Sequence, residues 1–508
     1  MTPADDTTPY WTVSADFPRF EPLSGDITVD AIVVGGGITG LTAAYLLATA
    51  GRRVAVLERG RCAMTDTGHT TAHLTMVTDT RLPELVDRFG RDHARAVWVS
   101  GLAAINFIED TAGSLGIDAG FTWVDGYLHE APDAEPGREA RSFRDEAALA
   151  NDLGFDAEFV DEAPVVARPG IRFPGQARFH PRRYLAGLAH AIVAAGGKIY
   201  EHSEAGEFAD SPRRVTVHGH TVRFEDAVIA THTPLVGLGG STGAALFQTK
   251  LALYSTYAIA ARVAKGALPD ALMWDTADPY RYLRLAPQDG YDLAIFGGED
   301  HKTGQAADTG QCYRQLEAQF ARLVPDAAVV HRWAGQVIET PDGLPYIGES
   351  AERQYSATGY SGNGMTFGTL AGMMIADAIL QRANPWAELY DPRRKALGRS
   401  LWDYIKENAD YPYYMIRDRF AGPEGRSLRA VGRGEGKVIE HKGQTIAAHR
   451  TDAGVLVLRS AICTHMGCLV EWNDAERTWD CPCHGSRFKP SGDVISGPAE
   501  SPLDPLES

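Results

Sequence analysis

The chain has 508 residues, room for about three folded units at ~150 residues each. Hydrophobic residues at 44% and charged residues at 23%, with 53 Gly and 28 Pro, exclude disordered, collagenous and coiled-coil classes. A formal net charge of −17, with no basic patch to override it, argues against nucleic acid or an anionic membrane as a partner.

The N-terminus is acidic where a secretory signal would be basic, and the most apolar window, 31–50, is broken by glycines and threonines. A soluble cytoplasmic protein with no membrane span is expected. Residues 28–34 are rich in β-branched side chains and end at Gly35-Gly36-Gly37-Ile38-Thr39-Gly40; 41–50 favours a helix closed by Gly51, and 54–58 reads as a second buried strand. In Gly35-x-Gly37-x-x-Gly40 the first glycine makes a tight turn, the second lets backbone amides approach a pyrophosphate, and the third lets helix and strand pack closely. Glu58 ends the second strand, where a carboxylate can accept hydrogen bonds from a ribose diol. A glycine turn serving only packing is the competing reading.

Residues 82–112 carry apolar side chains at helical spacing, whereas 177–179, 214–217, 251–263 and 280–285 alternate at strand period. Strands 226–231 and 355–359 follow, the latter leading through a glycine-rich turn into a helix over 368–380. His69 and His73 would share a face on a helix and could hold a metal, but no third ligand lies nearby in sequence. The glycines at 237–243 come nearest to a second dinucleotide turn. Their third glycine is displaced by one and no acid-terminated strand follows, so no pyridine-nucleotide site is expected. Residues 392–419 read as a helical linker, and from 425 the texture changes to short strands with glycine turns.

Six cysteines are too few for a disulfide scaffold, yet four fall between Cys463 and Cys483. Cys463-Thr464-His465 and Cys481-Pro482-Cys483-His484 form C-x-H-x15-C-x-x-H, two thiolates and two imidazoles that suit a [2Fe–2S] centre or a tetrahedral zinc. The stretches CTHMGC and CPCHGSRF resemble the Rieske proteins residue by residue, and the likeness spans 425–508. It implies Cys463 and Cys481 on one iron, His465 and His484 on the other, and a disulfide between Cys468 and Cys483 that ties the two cluster loops. One position departs from the pattern. Where high-potential Rieske proteins carry Tyr two residues after a Ser, this chain has Phe488 after Ser486. Hydrogen bonds to ligand sulfur raise the potential, so a value below that of the Tyr-bearing proteins is expected, though above the roughly −400 mV of all-cysteine clusters.

Four stretches resemble the D-amino-acid oxidase-like flavoproteins, the glycine and sarcosine oxidase group. They are VVGGGITGL with LERG after it, TGHTTAHLT at 67–75, GQARFHPRRYLAGLA at 175–189, and TPDGLPYIG at 340–348 with ATGYSGNGMTFGT at 357–369. The resemblance implies FAD and an oxidoreductase over 1–395. Its α/β Rossmann-like nucleotide lobe, of the glutathione-reductase type, would occupy 28–80, 150–245 and 335–390, and an α+β substrate lobe 81–149 and 246–334. A helical linker over 396–424 and an all-β Rieske domain over 425–508 complete the chain. The likeness places the pyrophosphate at Gly35, Gly37, Ile38, Thr39 and Gly40, the ribose at Glu58 and the adenine side near Arg59. Thr67, Gly68, His69, Thr70, Ala205 and Thr231 are further flavin contacts by the same likeness, and Gly362, Asn363, Gly364, Met365 and Thr366 flank the isoalloxazine. Some of these flavoproteins attach the flavin through a histidine of the second stretch; that position is Thr70 here, which leaves the mode of attachment open. Cys62 and Cys312 read as buried, unreactive thiols.

Tyr254, Tyr257, Tyr282, Arg284 and Trp333 are implied to line the substrate cavity, with ordinary sheet packing as the alternative. Tyr282 and Arg284 share a strand face, and aromatics with an arginine could cage an amine and pair a carboxylate. The expected activity is a FAD-dependent dehydrogenase acting on CH–NH or CH–NH2 donors, an amine or N-methyl amino acid. Hydride would pass to FAD and single electrons would leave through the Rieske cluster to an unidentified one-electron acceptor. An oxygen-using amine oxidase with a structural Rieske domain, and a non-catalytic electron-transfer or redox-sensing protein, are the alternatives. No two-histidine, one-carboxylate iron motif accompanies the cluster, so a Rieske oxygenase is disfavoured.

Overall fold

The computed structural model describes residues 7–234, 251–306, 308–394 and 428–506. The glycines at 237–243 and the linker expected over 396–424 lie outside these residues. Ala31–Val34 and Val54–Leu57 are apolar and buried at every position, as strands covered on both faces must be. They sit at the centre of a six-stranded sheet, in the order Tyr346–Ala351, Gln354–Thr358, Asp226–Ile229, Ala31–Val34, Val54–Leu57, Lys198–Tyr200. All but the first run parallel. Crevices outside the carboxyl ends of such strands are where α/β proteins bind ligands.

The expected strand 28–34 is two strands. Ile27–Thr28 leaves to pair with His220–Arg223 in a separate four-stranded sheet. The helical stretch 82–112 likewise divides into Leu82–Phe89 and Arg91–Leu115, broken at Gly90, whose φ of 82° few other residues adopt. Helix Gly364–Ile379 starts a turn earlier than expected and crosses Ile38–Thr49 closely: a Cβ on Gly372 would lie 2.6 Å from that of Thr42.

A nine-stranded mixed sheet builds the second lobe, with Ala252–Ala264 between Tyr291–Lys302 and the edge strand Ala328–Glu339. Helix Thr309–Leu323 covers one face, burying Tyr257, Phe296, Leu316 and Phe320 in a shared core. The other face meets the segment 66–79: Trp333 Nε1 donates to the His69 carbonyl at 2.9 Å, and a Cβ on Gly335 would lie 3.0 Å from the same oxygen.

The C-terminal domain is all β, a three-stranded and a four-stranded antiparallel sheet. It docks on the helix-covered side of the nine-stranded sheet. Gln336 Nε2 donates to the Gly485 carbonyl at 2.9 Å, Gln305 Nε2 to that of Pro482 at 3.1 Å, and the Tyr313 hydroxyl to Glu476 at 2.6 Å. The sheet is thus a partition, with the second cysteine–histidine loop on one side and segment 66–79 on the other. Among the described residues no helix is long and apolar enough to cross a membrane.

Candidate functional site

The glycine turn is as close-fitting as its motif requires. A Cβ on Gly35 would strike the Ala230 carbonyl, one on Gly40 the Gly35 carbonyl, and one on Gly37 would come within 3.0 Å of Thr67 Oγ1. Ile38 N donates to that hydroxyl at 3.2 Å, and Thr39 Oγ1 meets the Tyr360 hydroxyl at 2.7 Å. Glu58 accepts from Gly36 N at 2.8 Å and Gly60 N at 2.7 Å, and burial pushes its carboxyl up. Gly68 packs against the Ala63 carbonyl, Thr70 Oγ1 accepts from Ala72 N, and Thr231 Oγ1 donates to the Thr233 carbonyl. Ala205 is buried two residues beyond Ser203, whose N–H donates to the Glu58 carbonyl. Arg59, which the resemblance puts on the adenine side, reaches the C-terminal domain and donates to the Ile495 carbonyl at 2.8 Å.

The 362–366 turn joins this crevice. A Cβ on Gly362 would strike Asp79 Oδ2, Asn363 lies 3.4 Å from Asp79 Oδ1, Met365 is buried, and Thr366 Oγ1 donates to the Thr75 carbonyl at 3.0 Å. Among the described residues, nothing beyond its own helix backbone and chain neighbours lies within 4 Å of a Cβ placed on Gly364, at the helix start. Stretches far apart in sequence therefore converge on a backbone-lined hollow with N–H groups at its edge, which suits a dinucleotide.

Above the hollow, the nine-stranded sheet presents Tyr282, its hydroxyl 2.6 Å from Thr256 Oγ1 and its ring 5.5 Å from that of His73. Tyr254 shares this side, two residues from Thr256 on the same strand. Tyr280 donates to Asp79 Oδ2 at 3.0 Å, and Asp300 hydrogen-bonds Thr256 while its Oδ1 is buried without a hydrogen bond. Asp79 has protein packed around it but remains open to solvent. Burial pushes both Asp79 and Asp300 up to about 7, and pushes His73 down to about 3, where it is neutral.

Three expected cavity residues are elsewhere or occupied. Tyr257 points to the opposite face, its ring 5.1 Å from Tyr313 and 5.5 Å from His301. Arg284 is fully buried and gives its N–H groups to the carbonyls of Thr71, Ala72, Phe179 and Leu285, with nothing left for a substrate carboxylate. Trp333 is fully buried and supports His69 through its indole N–H. His69 ends a 3-10 turn and His73 starts a strand, so the two do not share a helix face.

In the C-terminal domain Cys463 and Cys481 are buried, free of disulfides and hydrogen-bonded to each other, with Ser486 also bonded to Cys463. The His465 and His484 rings lie 4.9 Å apart; their Nδ1 atoms are buried, and burial lowers both pKa values, His484 to about 4. Neutral imidazole is the form that ligates metal. A disulfide joins Cys468 to Cys483, leaving two thiols and two imidazoles for a cluster.

Residues 30–378 match the FAD dependent oxidoreductase family, and 426–507 match the Rieske [2Fe-2S] domain. The chain belongs to the FAD-dependent oxidoreductases. Its cofactors are FAD and a [2Fe–2S] cluster. This oxidoreductase is 32% identical over 505 residues to a Rieske 2Fe-2S iron–sulfur protein of Bacillus subtilis (strain 168), covering 98% of this chain and 97% of the relative. It is 24% identical over 434 residues to the gamma-glutamylputrescine oxidoreductase of Escherichia coli (strain K12), covering 81% and 98%. The crystal structure of glycine oxidase from Geobacillus kaustophilus superposes with a TM-score of 0.61 at 22% identity, over 72% of this chain and 99% of that one. At that identity the likeness is one of fold.

Sequence reasoning missed Asp79, Asp300 and Tyr280 in this oxidoreductase. The signal for Asp300 is slight: it follows Glu299 after the apolar run Ala294–Gly298 on one strand. Phe488 is fully buried beside Trp479, in the core that holds Cys463 and Cys481. Phe488→Tyr is expected to raise the cluster midpoint in an EPR-monitored titration, by adding a hydroxyl beside the sulfurs. An unchanged midpoint would count against that cause.

Proposed function

We propose that this oxidoreductase is an amine dehydrogenase whose electrons leave singly through the Rieske cluster. The observation that carries the reading is the charge of the substrate face. Two carboxylates, Asp79 and Asp300, stand among Tyr280, Tyr282 and a neutral His73, and the arginine expected there is held by backbone carbonyls. Such a wall favours a cationic amine over an amino acid carboxylate.

Bound FAD supplies a hydride acceptor, and the [2Fe–2S] cluster a one-electron exit. The chain's own residues prepare the donor. An amine reaches the protein as an ammonium, which cannot lose hydride until it loses a proton, and Asp79 Oδ2 is placed to take that proton. Tyr280, donating to the same oxygen, steadies the carboxylate. Amides at the start of helix Gly364–Ile379 offer positive partial charge to the reduced cofactor. A cytoplasmic location belongs to the same reading.

An anaerobic screen of primary amines, diamines and N-methyl amino acids tests it, with flavin absorbance followed first and the cluster EPR signal second. Amines are expected to bleach the flavin and then reduce the cluster. Stoichiometric hydrogen peroxide with an idle cluster would instead make the protein an oxidase, and no bleaching by any amine would make it an electron carrier.

A further inference from the structure

Granted the relay proposed above, electrons must cross the partition between the flavin side and the cluster side, and the edge strand Ala328–Glu339 marks where. Side chains alternate along it, so Trp333 and Gly335 face His69 while Ala334 and Gln336 face the reverse. Gly335 leaves only backbone between the two sides. On the reverse face Gln336 is buried, and its Nε2 donates to the Gly485 carbonyl at 2.9 Å and to Thr303 Oγ1 at 3.2 Å. Gly485 follows the cluster ligand His484, and its own N–H donates to the carbonyl of the ligand Cys481 at 2.9 Å.

Gln336 Oε1 is buried and makes no hydrogen bond. An orphaned buried carbonyl destabilises the fold, and a methionine would fill the same space without it. What the amide adds over a methionine is its donation to the cluster loop. Gln305 Nε2 also reaches this loop, at the Pro482 carbonyl, but from the segment after strand Tyr291–Lys302 and not from the strand that faces His69; the side-chain bond Tyr313 to Glu476 lies at the turn before Thr478–Asp480.

We propose that Gln336 is the junction through which electrons cross the sheet, its hydrogen bond to Gly485 completing a bonded route from the His69 side to the cluster loop. Each crossing takes one electron from reduced flavin and converts one cluster iron from Fe(III) to Fe(II). A second follows after an external one-electron acceptor such as cytochrome c has reoxidised the cluster, and the flavin's protons pass to solvent.

The test needs no amine. In the holoenzyme, a light flash with EDTA as donor reduces the flavin, and cluster reduction is followed by absorbance. Gln336→Met is expected to slow that step, because a through-space gap replaces the bonded contact to Gly485. The cluster's EPR spectrum and midpoint, and hydrogen exchange over 481–486, should match wild type. Tyr313→Phe should transfer at the wild-type rate. Gln336→Leu, which has no donor, supplies a second variant and should be slow as well. Wild-type transfer in both Gln336 variants, or equal slowing in Tyr313→Phe, would overturn the junction and leave the relay standing. Absence of transfer in the wild-type protein would instead refute the relay.

Discussion

His484→Ala is expected to leave flavin bleaching by an amine at the wild-type rate while reduction of cytochrome c, too large to reach a buried flavin, falls by more than about 100-fold. The His484 ring stands 4.9 Å from His465, both turning a buried Nδ1 inward, so removing it takes one of the two imidazoles from its iron. The lesion should be local. The disulfide uses the neighbouring Cys483, and the Gln336 contact is made by the Gly485 backbone, so neither depends on the imidazole. Stopped-flow absorbance for the first half-reaction and steady-state cytochrome reduction for the second separate the two effects. Wild-type cytochrome reduction in a variant lacking the cluster EPR signal would show that electrons leave the flavin directly, and the relay would be wrong.

The nucleotide unit and the cluster loops were legible because their chemistry is local. A glycine turn between two apolar strands needs close backbone approaches that only glycine permits, and the four cluster ligands lie in two short loops. The substrate face was not, because it depends on where strands twist and what meets them. Tyr254 and Tyr257 stand three apart, so strand alternation puts them on opposite faces, and the second packs with helix Thr309–Leu323. Arg284 does share a face with Tyr282. What captures it is the chain at 71–72, where Ala72 with φ 58° turns carbonyls toward the guanidinium, together with the Phe179 carbonyl from a distant strand end. Asp79 acquires its role from Tyr280, 201 residues away in sequence. No pattern within a single stretch carries that pairing.

Asp79→Asn is expected to lower the rate of anaerobic flavin bleaching at saturating amine by about 100-fold, within the range for removing a general base. Asn keeps the shape of the side chain and can still accept from Tyr280, so flavin content should not change. The pH profile distinguishes this from a packing defect. Burial raises the Asp79 pKa to about 7, so below that pH the carboxyl is protonated and cannot take a proton from the ammonium. Wild-type bleaching should therefore rise with pH up to about 7 and level above it, and Asp79→Asn should lose this limb. Asp300 is raised to about 7 partly by the charge of Asp79, so in the same variant its own carboxyl should move back toward the ordinary range. Asp300→Asn is the companion variant: it should weaken amine binding through loss of a negative wall while keeping the pH limb. If Asp79→Asn retained both rate and limb, the protein would be drawing the neutral amine from solution, and the carboxylates would serve binding alone.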